Sequence, residues 1–444
     1  MVSLTQMLTD ARPHGAVVAY TTAGALERRD FAALAERVAA SASVQPQARW
    51  LLAAQNAFNF AAAFFGLLAA GKVVQVPPNF LPATLDAIGG GGAMLDDDAI
   101  EALALAAPQP RAIRGDAIVE LYTSGSAGEP KRVVKRLGQL DAEVSVLEAA
   151  FGARLGDACV VSTVPHHHIY GLLFRILWPL AAGRAFDTAL CSEPHTLSAT
   201  LKRHDRCMLV SSPAQLSRLT GLMDLSRERE RIAAVFSSGG PLAADAARDV
   251  AAALRASPIE VFGSTETGGI AWRQQSEGDL WTPLPCVAVS RAADSALVVR
   301  SHFADFGGER ALPTADAIEI QADGRFRLLG RLDRIVKIEE KRVSLGELEA
   351  RLREHPWVRE AAAVLLASRR NVIGAAAVLA PEASRILDEQ GRRPVVDALR
   401  AHLATRIESI ALPRRWRFPG ALPYDERGKL TRAGVAALFE LPAA

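Results

Sequence analysis

The chain has 444 residues, half of them apolar, and its 51 basic and 49 acidic side chains leave a formal net charge of +2. That size and apolar content predict two or more compact domains and exclude a disordered chain, while the charge balance argues against a polyanion-binding surface, so nucleic acid is not an expected partner. The four cysteines, Cys159, Cys191, Cys207 and Cys286, lie far apart with no CxxC pair, which gives neither a disulfide framework nor a zinc site and fits a reducing cytoplasm.

The N-terminal MVSLTQMLTDARPHG lacks a basic region followed by an apolar stretch, so a cleaved leader is not expected. The longest apolar run, FAAAFFGLLAAG from Phe60, is too short to span a bilayer and predicts a buried core helix. From about residue 16 to residue 265, short β-rich runs such as VVQVPPN, ACVVSTVP, CMLVSS, IAAVFSSGG and IEVFGSTETGG alternate with amphipathic stretches. This is α/β punctuation, and it predicts that ligand chemistry gathers at the strand tips. After residue 282 the helices thin out, and ALVVRS, AIEI and RFRLLGR predict a β-rich subdomain. From residue 333 the expected order is strand, helix (SLGELEARLREHP), two strands (AAAVLLAS and NVIGAAAVLA) and a helix (VVDALRAHLATRI). The expected fold class is therefore α/β, a large N-terminal lobe over residues 1–332 with a β-rich subdomain, followed by a small α+β domain over residues 333–444.

Two segments carry chemistry. In LYTSGSAGEPKR, residues 121–132, a β-rich run ends in a loop of small residues. Backbone N–H groups at Gly125 and Gly128, the hydroxyls of Thr123, Ser124 and Ser126, and the Lys131 ammonium can converge on phosphate oxygens. The spacing is not that of a GxxxxGK[ST] loop. In VFGSTETGG, residues 261–269, Phe262 can stack on a base beside Gly263, Thr265 can donate to a phosphate, and Glu266 can hold Mg²⁺ against phosphate oxygens, since a hard cation favours carboxylate.

With LLGRLDRIVKIEEKRVSLGELE (residues 328–349) and LPYDERGKLTR (residues 422–432), these segments occur in an order that resembles the signatures of the adenylate-forming superfamily, which includes acyl-CoA synthetases, peptide-synthetase adenylation domains and luciferases. The resemblance spans nearly the whole chain. It implies that the loop from Thr123 to Lys131 cradles the β- and γ-phosphates of ATP, that Phe262 packs on adenine, and that Thr265 and Glu266 bind the α-phosphate and Mg²⁺. Gly239 and Gly240 in SGGPL, with Gly268, flank adenine and the acyl pocket; Asp316 holds the ribose hydroxyls and Arg331 makes a second ribose or phosphate contact. Lys429 matches the lysine that bridges carboxylate and α-phosphate. A carboxylate approaching an already negative phosphorus needs such compensation. Asp333 matches a hinge about which the small, mobile domain rotates between adenylation and thiol transfer.

In PHHHIYG, residues 165–171, His168 falls on a family position that borders the acyl pocket, and His167, Tyr170 and Ser212 can offer polar partners to a small ring bearing a hydroxyl. A metal reading of the three histidines is weaker, because on an extended backbone only His166 and His168 share a face and no carboxylate or cysteine is close in sequence. The chain departs from the family at Ala127, at Ala315 and at Glu340, which stands where most members have glycine on the route of the thiol. A charge there disfavours polyanionic CoA. The KIEEKRVSLGELE segment and the compact length are similar to ligases that load hydroxybenzoate-type acids onto acyl carrier protein in aryl-polyene pigment pathways. The resemblance thus implies activation of a small aryl acid with ATP and Mg²⁺ and transfer to a phosphopantetheine thiol, of an acyl carrier protein or alternatively of CoA, by a cytoplasmic monomer or homodimer. Arg351, Arg353, Arg369 and Arg370 are candidates to meet an acidic carrier protein. A catalytically silent nucleotide-binding relative is expected to lack Lys429 or Glu266, and both are present.

Overall fold

The alternation of β-branched runs with apolar-faced helices builds two sheets in the first part of the chain. The computed structural model describes residues 1–89, 92–104, 111–124, 130–222, 224–225, 227–305, 307–338, 341–366, 372–405, 407, 409, 412–424 and 430–440. The chain divides into two units, the first made of residues 1–290, 298–312 and 320–327, the second of residues 291–297, 313–319 and 328–444.

In the first unit a nine-stranded sheet runs, edge to edge, Thr282–Pro283, Gly268–Gln274, Ile259–Ser264, Ile232–Ser237, Cys207–Ser211, Cys159–Ser162, Phe186–Leu190, Val17–Tyr20 and Ala25–Glu27. Its middle strands pair in parallel, and Ile259–Ser264 turns back antiparallel into Gly268–Gln274. A five-stranded sheet has the order Ala93–Leu95, Arg49–Leu52, Val73–Val76, Ile118–Ser124 and Pro130–Arg136, parallel except for the hairpin formed by its last two strands. Crossover helices cover such sheets, which leaves the carboxyl ends of the strands as the place for a ligand.

The Phe60 run forms the helix Ala57–Ala69, capped by the Asn56 side chain, which accepts from the Phe58 and Asn59 N–H groups. Phe60, Phe64, Phe65 and Leu67 are wholly buried, and each such side chain contributes roughly 1.5–3 kcal/mol of hydrophobic stabilisation. This is the core helix expected from the run's length. No described helix is long and apolar enough to cross a membrane.

The strands read from ALVVRS, AIEI and RFRLLGR are Ala296–Arg300, Leu312–Ile320 and Phe326–Arg331. In the second unit a hairpin of Ile335–Ile338 and Lys341–Ser344 leads into the helix Leu345–Arg353, whose first turn is capped by the Ser344 hydroxyl. Strands Val358–Leu366, Val372–Leu379 and Arg415–Arg417 form a three-stranded sheet. Its period of two is visible in the core: Ala361, Ala363, Ile373 and Ala375 pack with Leu348, Leu399 and Trp416 on one face, and Ala362, Val364, Ala376 and Val378 pack with Leu422, Val435 and Phe439 on the other. The helix Pro381–Gln390 was not expected, because PEASRILDEQ follows a strand directly and is largely polar; proline at its start is the signal that marks it.

Candidate active site

The segment read as a phosphate loop lies between the two strands of the Ile118–Ser124 and Pro130–Arg136 hairpin, in which Thr123 pairs with Lys131 and Ser124 with Pro130. Thr123 is half-buried, and its hydroxyl donates to the Lys131 carbonyl at 3.5 Å. Gly125, Ser126, Ala127 and Gly128 and the side chain of Ser124 lie outside the described residues. Lys131 is exposed, and its ammonium reaches the Glu266 carboxylate at 2.6 Å. The hairpin of one sheet thus meets the strand-end turn of the other through opposite charges.

Thr265 and Glu266 occupy the turn between Ile259–Ser264 and Gly268–Gln274, both half-buried. The turn is tied internally: the Ser264 N–H donates to the Thr267 hydroxyl at 3.1 Å, which donates in turn to the Gly268 carbonyl at 2.8 Å. Burial pushes the Glu266 carboxyl upward, but the hydrogen bond and charge of Lys131 outweigh it and hold the group below its ordinary value. An ionised, half-exposed carboxylate results. The ion pair itself is worth no more than about 1 kcal/mol at that exposure.

Beneath this turn lies a polar cluster that sequence reading missed. Lys135 is 2% exposed, and its ammonium donates to the carbonyls of Glu266 at 2.8 Å and Phe303 at 2.6 Å. Gln139 donates to the same Phe303 carbonyl at 3.0 Å. Glu143, 3% exposed, accepts the Gly269 N–H at 2.6 Å. Burial lowers the Lys135 ammonium to about 8 against the opposing charges of Glu143 and Glu266, and burial raises the Glu143 carboxyl. The available signal was phase. Along Pro130–Arg136 the inward positions are Val133 and Lys135, so a lysine stands where the strand's alternation asks for an apolar residue.

Phe262 is half-buried, its ring 5.6 Å from Trp281 and 6.4 Å from Phe326, which fixes its orientation on one side. Gly263 follows it in the strand, and Gly239 and Gly240 are exposed just beyond the tip of Ile232–Ser237, where the Ser238 hydroxyl donates to the Val261 carbonyl at 2.7 Å. In the second unit, Asp316 and Arg331 approach to 4.0 Å, so the two residues expected to serve a ribose are neighbours. Lys429 and Glu340 lie outside the described residues, as does the side chain of Asp333, whose backbone is in the short turn Leu332–Arg334.

The PHHHIYG segment is a turn that runs into the helix Ile169–Gly171 rather than an extended strand. His166 is 2% exposed, its Nε2 lies 3.0 Å from the Ala54 carbonyl, and its ring is 4.4 Å from that of Phe60. Next to a carbonyl, Nε2 must be the protonated nitrogen. Burial, reinforced by the Arg175 charge, pushes His166 down to about 3, so it is neutral and anchors the turn. His167 stands 4.5 Å from Phe80 and 4.4 Å from His168, ring to ring. Tyr170 is kept protonated, its hydroxyl pushed well above the ordinary value by burial. Ser212 accepts the Gln215 N–H at 3.4 Å, so its hydroxyl caps the helix Pro213–Leu222. Ile169 opens a helix that runs through Gly171 into a π-helical stretch, Leu172–Leu177, holding the fully buried Arg175; such stretches concentrate at functional sites. Among the described residues no group of three His, Cys, Asp or Glu side chains is placed to hold a metal ion.

A family described as AMP-binding enzyme matches residues 91–299. The 4-coumarate–CoA ligase of Cereibacter sphaeroides is 30% identical over 312 residues, 69% of this chain and 69% of that protein. The chain belongs to the AMP-binding enzyme family. As a member of this adenylate-forming group it is an AMP-forming acid–thiol ligase. The L-proline–[L-prolyl-carrier protein] ligase of Pseudomonas fluorescens is 24% identical over 357 residues, 72% of this chain and 68% of that protein. Among solved structures, a benzoate CoA ligase from Burkholderia xenovorans superposes with a TM-score of 0.81 at 20% identity, covering 98% of this chain and 100% of that one, a likeness of fold.

The donor set of this AMP-binding enzyme fits Mg²⁺ held chiefly by a nucleotide. Glu266 offers one ionised, half-exposed carboxylate with the Thr265 hydroxyl beside it. One hard oxygen ligand from the protein is what a cation needs when phosphate oxygens and water complete its shell.

Proposed function

We propose that this enzyme uses ATP and Mg²⁺ to convert a small aryl acid, such as a hydroxybenzoate, to its acyl-AMP, releases pyrophosphate, and passes the acyl group to the pantetheine thiol of an acyl carrier protein. The observation that carries the reading is the 2.6 Å contact between Lys131 and Glu266. It sets a cation suited to phosphate oxygens against a carboxylate suited to Mg²⁺, at the tips of strands from two sheets.

In this reading the loop from Thr123 to Lys131, with Ser124, Gly125, Ser126 and Gly128, binds the β- and γ-phosphates, and Phe262 stacks on adenine beside Gly239, Gly240 and Gly263. Asp316 and Arg331 hold the ribose. Thr265 donates to the α-phosphate, and Glu266 orients the metal end of the nucleotide. Bound Mg²⁺ supplies positive charge to phosphate oxygens as pyrophosphate leaves. Lys429 draws the acid carboxylate and the α-phosphate together in line, so that the protein's work is positioning and neutralisation. His167, His168, Tyr170 and Ser212, with Gly268, border the acid; the edge-to-face contact of His167 with Phe80 supports an aromatic ring there. Asp333 is the hinge for the second half-reaction, and Glu340 stands on the thiol route.

A second reading, with free CoA as acceptor, is favoured by the likeness to a CoA ligase. One experiment separates them. The enzyme is incubated with ATP, Mg²⁺ and a panel of aryl and aliphatic acids, pyrophosphate release is followed, and CoA or a holo carrier protein is then offered and its acylation read by mass. Acid-dependent pyrophosphate release is expected with aryl acids, followed by loading of the carrier protein in preference to CoA. Absence of acid-dependent release sinks adenylation, and faster loading of CoA sinks the carrier-protein half.

A further inference from the structure

The buried cluster under the Glu266 turn has no part in the reaction as written, yet it is built at some cost. An ammonium taken out of water is expensive unless it is fully bonded, and an apolar side chain would fill the Lys135 position without that cost. What the lysine adds is direction. Its two bonds fix the carbonyl of Glu266 and join it to that of Phe303, which Gln139 also holds. Three residues further on, Glu143 fixes the Gly269 N–H. The backbone between them passes through Gly268 at φ +68°, and a Cβ there would lie 2.6 Å from Glu143 Oε2 and 2.8 Å from the Phe303 Cβ. The turn is therefore seated directly on the cluster, with only glycine fitting at its tightest point.

We propose that Lys135 and Glu143 are positioning residues that clamp the backbone of the Glu266 turn at residues 266 and 269, so that the Glu266 carboxylate is presented to the metal end of the bound nucleotide. The inference rests on the ATP reading above and deepens it. Both side chains are buried and bonded to the turn's backbone; they act through the turn, as outer partners of metal ligands do when they fix ligand orientation.

The test is calorimetric titration of the full-length protein with ATP, once with MgCl₂ and once with EDTA, alongside the melting temperature. In the wild type, Mg²⁺ is expected to tighten ATP binding. Lys135→Met is expected to reduce that tightening by about tenfold or more, in the 10–100-fold range typical of lost outer partners, while metal-free ATP binding changes by no more than about twofold. Gln139→Leu breaks the same network at Phe303 without touching the Glu266 turn; it is expected to lower the melting temperature and leave the Mg²⁺ effect unchanged. If Lys135→Met does not fold, Glu143→Ala carries the same expectation. Retention of the full Mg²⁺ effect in whichever variant folds overturns the clamp, as does an equal loss of ATP binding with and without Mg²⁺. A wild type whose ATP affinity ignores Mg²⁺ overturns the metal role of Glu266 and the clamp together, and one that does not bind ATP at all overturns the ATP reading.

Discussion

The turn over residues 264–269 and the turn over residues 165–168, with the helix start that follows it, both come after parallel strands of the nine-stranded sheet, and both are crowded with groups able to do chemistry. In the first, the polar groups beneath the chain are bonded to its backbone, and the carboxylate of Glu266 is left ionised and half-exposed. In the second, His166 is turned inward, bonded to Ala54 and held neutral. Density of polar residues is the same signal in both cases; what differs is whether a charge survives at the surface. A buried imidazole without charge organises a turn, whereas an ionised carboxylate fixed from below can meet a cation.

The contrast is most exposed to Glu266→Ala. Removing the carboxylate is expected to lower acid-dependent pyrophosphate release by about 10²–10³-fold, the scale of a lost electrostatic group at a reacting centre, with the melting temperature little changed because the side chain is half-exposed. A drop below tenfold breaks the assignment of the two turns.

Gly171→Ala is expected to damage stability instead. Its Cβ would lie 1.9 Å from the Pro165 carbonyl oxygen, so the histidine turn must shift, at a cost on the order of 3 kcal/mol. The urea midpoint measures this, and an unchanged midpoint shows that the turn is not packed as described.

His166 makes acid sensitivity a property of the second turn. Its folded value of about 3 lies below its ordinary 6.5, so between those values the unfolded chain binds the extra proton. Stability from this group is complete above pH 6.5 and is lost as the pH falls toward 3, by at most about 1.4 kcal/mol per pH unit. His166→Asn, which keeps a donor for Ala54, is expected to flatten the dependence of urea-unfolding free energy on pH in that window; identical slopes exclude His166 as its source.

The smallest effect belongs to Lys131→Met. Because the pair is exposed, the change in unfolding free energy is expected to stay within about 1 kcal/mol, while ATP binding weakens through loss of a phosphate-facing charge. A larger loss of stability means the pair is structural, and the first turn then resembles the second.

Much of this was legible from residue order. The Phe60 run predicted the core helix that Ala57–Ala69 forms, the alternation predicted an α/β lobe with ligand chemistry at its strand tips, and the motif order pointed to the family. The cluster under Glu266 left only the out-of-phase Lys135 as a local trace; its partners were not legible, because Lys135 and Glu143 reach residues 266 and 269 across more than a hundred positions of chain. Within the histidine run, adjacency alone did not show that His166 differs from its neighbours: burial removes its proton and turns it to the Ala54 carbonyl.

By itself, then, the sequence determined the residue types at the strand tips, the family they belong to, and the helices and strands whose periodicity is local. Only the tertiary structure decided which charges are ionised and where they point. Burial and distant backbone partners set both, lowering Lys135 to about 8 and His166 to about 3 while leaving Glu266 a carboxylate. Desolvation depends on everything packed around a group, and no window of neighbouring residues contains that information.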